Sequence, residues 1–379
     1  MIKVIAVFGT RPEAIKMVPV IHQLKTPCLT AGRKTRKFNV KVCVTAQHRQ
    51  MLDQVLKIFR IKCDYDLDIM QKAQSLYQIT TNGLLKLEEI FKKEKPDIVL
   101  VHGDTTTTLV AALAAFYEKI PVGHVEAGLR SFDKFNPFPE EINRRLADVL
   151  ADLYFVPTRW SARNLKREGI PDKNIYITGN TVIDALLMAL KAPYKDQNKQ
   201  LKSLDARKKI ILVTIHRREN WGAPLKNICT ALARIASRNP DVQIIYPVHL
   251  NPQVKNIVCA GLHGRPNILI CAPLDYLDFV HVMQKSYLVV TDSGGLQEEA
   301  PSLGKPVLVL RQVTERPEAV KAGTAKVIGT DTKAVYYEIS RLLSSKPAYQ
   351  KMANAVNPYG DGRASERIAK AILQYFKNN

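Results

Sequence analysis

Residues 101–131 read VHGDTTTTLVAALAAFYEKIPVGHVEAGLRS. An apolar run ends on His102-Gly103-Asp104, four threonines lead into an alanine-rich helical stretch, and a second apolar run ends on His124-Val125-Glu126-Ala127-Gly128. Strand, helix and strand at this spacing predict a parallel β-α-β unit, whose two strands deliver their polar ends to the same edge of one sheet. Two histidines and two carboxylates gathered at one edge require an explanation beyond packing.

The same alternation extends in both directions. KVIAVFG precedes a helix from Pro12, KVCVTA a helix from Gln47, and DIVLVHGD the helix led by Thr105. It stalls at 191–208, KAPYKDQNKQLKSLDARK, which is polar and lysine-rich, and resumes with KIILVTIHRREN, VQIIYPVHL, NILICAPL, YLVVTDSGG and KPVLVL. This pattern predicts two α/β lobes, 1–190 and 208–358, joined by a linker. Each lobe opens with a strand that runs into a basic turn, AVFGTRPE in the first and LVTIHRRE in the second. Ligands of open parallel sheets bind beyond the carboxyl ends of the strands, so the chemistry is expected in a cleft between the lobes.

With 46% hydrophobic and 24% charged residues the chain has the composition of a globular protein, not a disordered one. No apolar run is long enough to cross a bilayer and the sequence opens directly on a strand, so a cytoplasmic location with no membrane partner is expected. Its six cysteines include no C-x-x-C pair and read as reduced packing residues. A formal charge of +21 would suit a polyanion. No helix-turn-helix, RNA-binding or zinc-finger signature accompanies it, so lysines spread over surface helices are the simpler account and no nucleic-acid partner is expected.

Three groups of residues carry candidate chemistry. In TDSGGLQEEAPSLGKPV, Ser293, Gly294 and Gly295 lie between a strand and a helix, where backbone N–H groups and the helix dipole can converge on a phosphate; Glu298 and Glu299 could then accept hydrogen bonds from ribose hydroxyls. A turn that uses glycine only for backbone freedom is the competing account. Neither G-x-G-x-x-G after a strand nor G-x-x-x-x-G-K-[ST] occurs, which argues against NAD and against an ATPase and leaves a nucleotide-linked substrate. Arg11, Lys16, His216, Arg217 and Arg218 follow the first strand of each lobe and could surround a diphosphate, with Arg316 a further candidate. Asp104, Glu126 and Glu140 are the carboxylates. Asp104 could instead cap the threonine-led helix and Glu140 could be an ordinary acidic first turn, but an acid at the end of a buried strand, as Glu126 is, seldom serves packing. DYDLD at 64–68 offers D-x-D triplets in a stretch read as an irregular solvated loop.

FGTRPEAIKM, TAQHRQMLDQVL, VHGDTTTT, HVEAGLRS, PEEINR, HRREN, PVHLNP, TDSGGLQEEAPSLGKPVLV, TERPEA and NPYGDGRAS together span nearly the whole chain. In these motifs the sequence closely resembles the bacterial non-hydrolysing UDP-N-acetylglucosamine 2-epimerases. The resemblance implies two Rossmann-like domains facing a cleft in a glycosyltransferase-B-like fold, with a last helix, 361–379, that returns to the first domain. It also implies a homodimer, no NAD, no catalytic metal, and interconversion of UDP-N-acetylglucosamine with UDP-N-acetylmannosamine for surface polysaccharide synthesis.

Carried over by position, Asp104, Glu126, Glu140, Lys16 and His216 match the family's catalytic residues. Arg11, Phe279, Ser293, Gly294, Glu299 and Arg316 match positions that contact UDP. Gln47, His48, Gln71, Arg217 and His249 fall near positions where some members bind a second, activating UDP-N-acetylglucosamine. Two stretches depart from the family pattern: 26–38 is longer and more basic, and MQKAQSL lacks an arginine associated with the activator site. The C2 hydrogen of the sugar becomes acidic only as UDP leaves C1, so the expected route is elimination to a 2-acetamidoglucal and re-addition. A hydrolysing epimerase and a glycosyltransferase on the same fold are the alternatives.

Overall fold

A computed structural model describes residues 1–378 except 31–32, 46–48, 70–73, 196–197 and 206, with the backbone alone for 28–30, 33–35 and 49–51. The chain forms two compact units, Met1–Met188 with Tyr359–Asn379, and Ala189–Pro358.

The first unit runs β1 (Ile2–Phe8), α1 (Arg11–Lys25), β2 (Cys28–Thr30), β3 (Arg33–Thr35), β4 (Phe38–Val44), α2 (Arg49–Ile58), β5 (Tyr65–Asp66), α3 (Leu76–Glu94), β6 (Ile98–His102), α4 (Thr106–Tyr117), β7 (Val122–Val125), α5 (Glu140–Leu150), β8 (Leu153–Val156), α6 (Arg159–Arg167), β9 (Ile175–Ile177) and α7 (Thr181–Lys191). Seven strands form one sheet in the order β5-β4-β1-β6-β7-β8-β9, every pair parallel. Helices cover both faces of such a sheet, which is why β1 from Val4 onward and all of β6 are buried apolar runs instead of alternating ones.

The second unit repeats the scheme with β10 (Lys209–Thr214), α8 (Ala223–Arg238), β11 (Val242–Pro247), α9 (Pro252–Leu262), β12 (Ile268–Cys271), α10 (Tyr276–Lys285), β13 (Leu288–Thr291), α11 (Gly294–Glu299), β14 (Val307–Val309), α12 (Pro317–Ala322), β15 (Ala325–Val327), α13 (Thr332–Ser344) and α14 (Lys346–Ala353). Its six parallel strands lie in the order β12-β11-β10-β13-β14-β15. In each unit the strand order reverses beside the first strand, between β1 and β6 and between β10 and β13. Those two switch points are where a doubly wound sheet opens a crevice.

The last helix, α15 (Ala364–Asn378), packs on α1 and β9. Asp184 of α7 holds its first turn, accepting from the backbone N–H groups of Ala364 at 3.1 Å and Ser365 at 2.8 Å. These bonds satisfy donors that a helix start otherwise leaves open.

Three local features differ from the sequence reading. The boundary between the units falls inside α7, at Met188/Ala189, and Tyr194 and Asn198 of the following stretch are tied down within the second unit. Tyr194 donates to Asp278 at 2.8 Å and stacks on His281, and Asn198 donates to the same carboxylate at 3.2 Å. The basic stretch 26–38 contains an antiparallel pair, β2 with β3. In DYDLD, Tyr65–Asp66 is an edge strand beside β4, and Asp64 accepts from the backbone of Val42 at 2.9 Å, so the first acid of the triplets serves the sheet.

Candidate active site

At the first switch point, β1 ends in Gly9-Thr10 and α1 begins at Arg11. Thr10 caps the helix in a capping box with Glu13. Glu13 is buried and reaches further: its Oε2 accepts from the N–H of Gly9 and Thr10, and its Oε1 from the Thr105 hydroxyl at 2.7 Å. The turn after β1 is thereby fastened to the turn after β6. Arg11 stands half-buried at the helix start, and Lys16 is carried inward one turn and a half later.

Lys16 forms an ion pair with Glu126, the residue just past β7. Glu126 adopts φ +65°, the left-handed region that a glutamate enters only at a cost of about 1–3 kcal/mol. All of its protein partners fall on one oxygen. Oε2 receives the Lys16 ammonium, accepts from the Asn180 amide at 2.8 Å and lies 3.6 Å from His102 Nε2. No hydrogen bond reaches Oε1 among the described residues. Burial works to raise the pKa of this carboxyl, but Lys16 and His102 hold it well below the usual carboxylate range.

Asp104 does not cap the threonine-led helix. Thr105 does, with its hydroxyl accepting from Thr108 N–H. Asp104 is left to Arg144 of α5, whose guanidinium lies 2.5 Å from its carboxylate and also reaches Glu141 at 3.3 Å. Glu140 opens α5, and its Oε2 is buried without a hydrogen-bond partner among the described residues.

The two histidines at this sheet edge differ. His124 is fully buried and bonded at both ring nitrogens, Nδ1 to Asp148 at 2.6 Å and Nε2 to the carbonyl of Gly103 at 2.7 Å. It anchors the residue before Asp104, where φ of +69° requires glycine. Burial works to raise the pKa of Asp148, but His124 and Arg130 hold it below the ordinary value. His102 is nearly as enclosed, yet among the described residues neither ring nitrogen has a hydrogen-bond partner.

At the second switch point the organising group is Asp292, fully buried after β13. It accepts from the N–H of His216 at 3.1 Å and of Arg217 at 2.9 Å, from the Asn220 amide at 2.9 Å, and faces His216 Nδ1 at 3.0 Å. His216 is thus oriented from behind while nearly half of its side chain stays exposed. Burial works to raise the pKa of Asp292, but the His216 contact and the other donors hold it below the usual value.

Ser293 and Gly294 begin α11, which has only six residues, so its dipole adds little and the donors themselves must serve any anion there. Neither Gly294 nor Gly295 has a positive φ. A Cβ at Gly294 would meet nothing nearer than the Arg316 guanidinium at 3.8 Å, and one at Gly295 nothing nearer than Glu299 at 3.6 Å. Backbone freedom therefore does not explain these glycines, and a Cβ at either would make only ordinary van der Waals contact. Arg316 is ion-paired with buried Glu298. Phe279 on α10 is half-buried, as is Glu299.

Arg217 faces Glu315 at 3.3 Å, and His249 lies exposed just past β11. Gln47, His48 and Gln71 lie outside the described residues. Among the described residues no three His, Cys, Asp or Glu side chains are grouped so as to hold a metal ion, and no helix is long and apolar enough to cross a membrane.

Sequence reasoning did not single out Glu13, Arg144, Asn180 or Asp292, and gave His102 no role. Only Glu13 carried a local signal, the capping-box spacing of Thr10 and Glu13. The contacts of Arg144, Asn180 and Asp292 with Asp104, Glu126 and His216 are made across 40 to 76 positions.

Two parallel doubly wound units, one with acids just past its strand ends and the other with a glycine turn after a central strand, define a nucleotide-sugar enzyme of glycosyltransferase-B-like fold. A model of the UDP-N-acetylglucosamine 2-epimerase family matches residues 30–373, and the chain belongs to that family. It is 54% identical to the UDP-N-acetylglucosamine 2-epimerase of Salmonella typhimurium over 98% of this chain and 99% of the relative. The crystal structure of UDP-GlcNAc 2-epimerase from Neisseria meningitidis, bound to UDP-GlcNAc, superposes with a TM-score of 0.86 at 49% identity, covering 98% of this chain and all of that one. The crystal structure of Acinetobacter baumannii MurG, at 14% identity and a TM-score of 0.62 over 99% of this chain and 100% of that chain, shares the fold alone.

Proposed function

We propose that the chain interconverts UDP-N-acetylglucosamine and UDP-N-acetylmannosamine without net hydrolysis, by eliminating and re-adding UDP. The observation that carries this reading is Glu126: a buried carboxylate, ionised by its neighbours, with one oxygen fully engaged and the other free.

In the first step a carboxylate takes the C2 proton, the C–H electron pair becomes the C1=C2 double bond of a 2-acetamidoglucal, and the C1–O pair departs with UDP. In the second step an acid on the opposite face returns a proton to C2 while a diphosphate oxygen adds to C1. Glu126, Asp104 and Glu140 are the acid-base groups. Lys16 holds Glu126 ionised. His216 and the Ser293-Gly294 turn stabilise charge on the departing diphosphate, while Arg11, Phe279, Glu299 and Arg316 hold the rest of UDP. Neither NAD nor a metal ion takes part.

Arg217 and His249, with Gln47, His48 and Gln71, are assigned to a second, activating molecule of substrate. The working form is a homodimer, for which exposed Leu85 of α3, Phe116 and Tyr117 of α4 and Val149 of α5 offer an apolar face on helices that pack side by side. The product supplies surface polysaccharide synthesis from the cytoplasm.

Proton NMR of the protein with UDP-N-acetylglucosamine in deuterated water, with no added NAD or metal, tests the reading. UDP-N-acetylmannosamine carrying deuterium at C2, with little free sugar, is expected. Free N-acetylmannosamine and UDP as the main products would identify a hydrolysing enzyme, and an epimer with no deuterium would remove C2 exchange from the mechanism.

A further inference from the structure

His102 ends β6 and His124 stands one residue before the end of the adjacent parallel strand β7, and both are nearly inaccessible to solvent. A histidine that serves packing finds acceptors for its ring, as His124 does on Asp148 and Gly103. His102 finds none among the described residues: both nitrogens are buried and unbonded there, while Nε2 lies 3.6 Å from Glu126 Oε2. Buried polar atoms are nearly always satisfied in folded proteins, so an imidazole left open at both ends, beside a candidate acid-base group, calls for a functional account. Catalytic hydrogen bonds are often long in unliganded enzymes and tighten when substrate is present.

We infer that His102 is a positioning residue for Glu126: with Lys16 and Asn180 it keeps Oε2 occupied, so that Oε1 is the oxygen that exchanges a proton with C2 on its own face, taking it in one direction of the reaction and giving it in the other. This rests on the assignment of Glu126 as an acid-base group. The donors come from three directions, Lys16 from α1, His102 from the end of β6 and Asn180 from the turn before α7. Lys16 and Glu126 are charged groups of this cluster and Asn180 is neutral. A neutral imidazole can turn its N–H onto Oε2 as Oε1 becomes protonated, which fixes the carboxyl in the orientation that returns the proton to carbon and not to Oε2. His102 and Lys16 both depress the carboxyl of Glu126, so loss of the ring moves the acid limb of kcat toward higher pH.

H102F keeps the ring and removes the donor, whereas H102Q restores an N–H near the position of Nε2. For H102F, kcat should fall about ten- to a hundredfold, the range of a hydrogen bond to a charged group. KM and calorimetric UDP affinity should stay near wild type, and the acid limb should shift upward. H102Q should recover most of the rate. A ring that only fills space predicts the opposite order, with H102F near wild type and H102Q impaired, and that order overturns the inference, as does an unshifted acid limb in H102F. Should thermal melting show that H102F does not fold, H102Q decides, because a wild-type-like pH profile supports the donor role and a tenfold lower kcat overturns it. E126Q assayed beside them separates the two levels: rapid epimerisation by E126Q removes the assignment of Glu126 itself, whereas inactive E126Q with wild-type-like H102F removes only the role of His102.

Discussion

Glu126 and Asp292 are both buried carboxylates just past a parallel strand, one in each unit, and both are held ionised by basic partners. They differ in how their oxygens are used. Asp292 meets two backbone N–H groups, an amide and an imidazole, and both of its oxygens are bonded. Glu126 concentrates its partners on Oε2 and reserves Oε1. A carboxylate bonded on both oxygens is a clamp that shapes a loop, whereas one with an oxygen to spare, kept in a left-handed backbone conformation, is placed to exchange a proton. On the proposed assignment, the positive potential that keeps each acid ionised serves orientation of His216 in one unit and reactivity in the other.

The comparison breaks most decisively at Glu126. E126Q should lower the rate of C2 deuterium exchange at least about a thousandfold, within the range that general acid-base catalysis contributes, while calorimetric UDP affinity stays near wild type. Because the folded-state pKa of Glu126 is depressed, the carboxylate's contribution to stability is present above the unfolded value and is lost as pH falls through the folded one. The acid limb of kcat should accordingly lie below the ordinary carboxylate range, and a limb above it would contradict the Lys16 pairing.

D292A should act in the other way, on the fold. It strands the N–H groups of His216 and Arg217 and leaves the Asn220 amide only its bond to the Leu310 carbonyl, and each unsatisfied buried donor costs about 1–3 kcal/mol. A melting temperature lowered by at least about 5 °C is expected for a unit of this size. D292N, which keeps one acceptor oxygen, should lose less. Wild-type stability in D292A would make Asp292 a second reactive acid instead of a clamp.

Much of this architecture was legible because its causes are local. Strands buried on both faces read as unbroken apolar runs, and their polar ends mark the edge where ligands bind, which is how Glu126 and the Ser293-Gly294 turn could be singled out from sequence. What was not legible depends on partners brought from elsewhere in the chain. Nothing in GNTVID announces that Asn180 donates to an acid 54 positions earlier, and the small residues of TDSGG drew attention away from the aspartate that organises the turn. Asp104 offered a capping role that Thr105 takes, a choice between neighbouring residues that only backbone geometry makes. His102 and His124 look alike in sequence and part ways only when their ring nitrogens are followed to acceptors.

Asn180 sharpens the comparison at an intermediate scale. Its side chain both donates to Glu126 and accepts from Val182 N–H at the start of α7, and its own N–H is held by the Tyr359 carbonyl at 2.7 Å. N180A should lower kcat about tenfold through loss of a hydrogen bond to a charged group, with KM nearly unchanged. If KM rose instead while kcat held, Asn180 would be reading substrate directly and the free-oxygen account of Glu126 would lose one of its three supports.

The smallest effects are expected at the glycine turn, and they test whether its space belongs to a ligand. Alanine at 294 fits the protein without a close contact and without an adverse backbone angle, so G294A should melt at or slightly above the wild-type temperature. If a phosphate approaches that backbone, the same methyl should weaken UDP binding clearly in calorimetry. Ser293 makes no helix-capping hydrogen bond with its hydroxyl, so S293A should leave stability unchanged and weaken UDP binding only about two- to tenfold, the value of a neutral hydrogen bond. Unchanged affinity in both variants would mean that the turn is open for a reason other than diphosphate. The second unit would then differ from the first in lacking any residue reserved for substrate at its switch point except His216, whose exposed ring Asp292 holds in place.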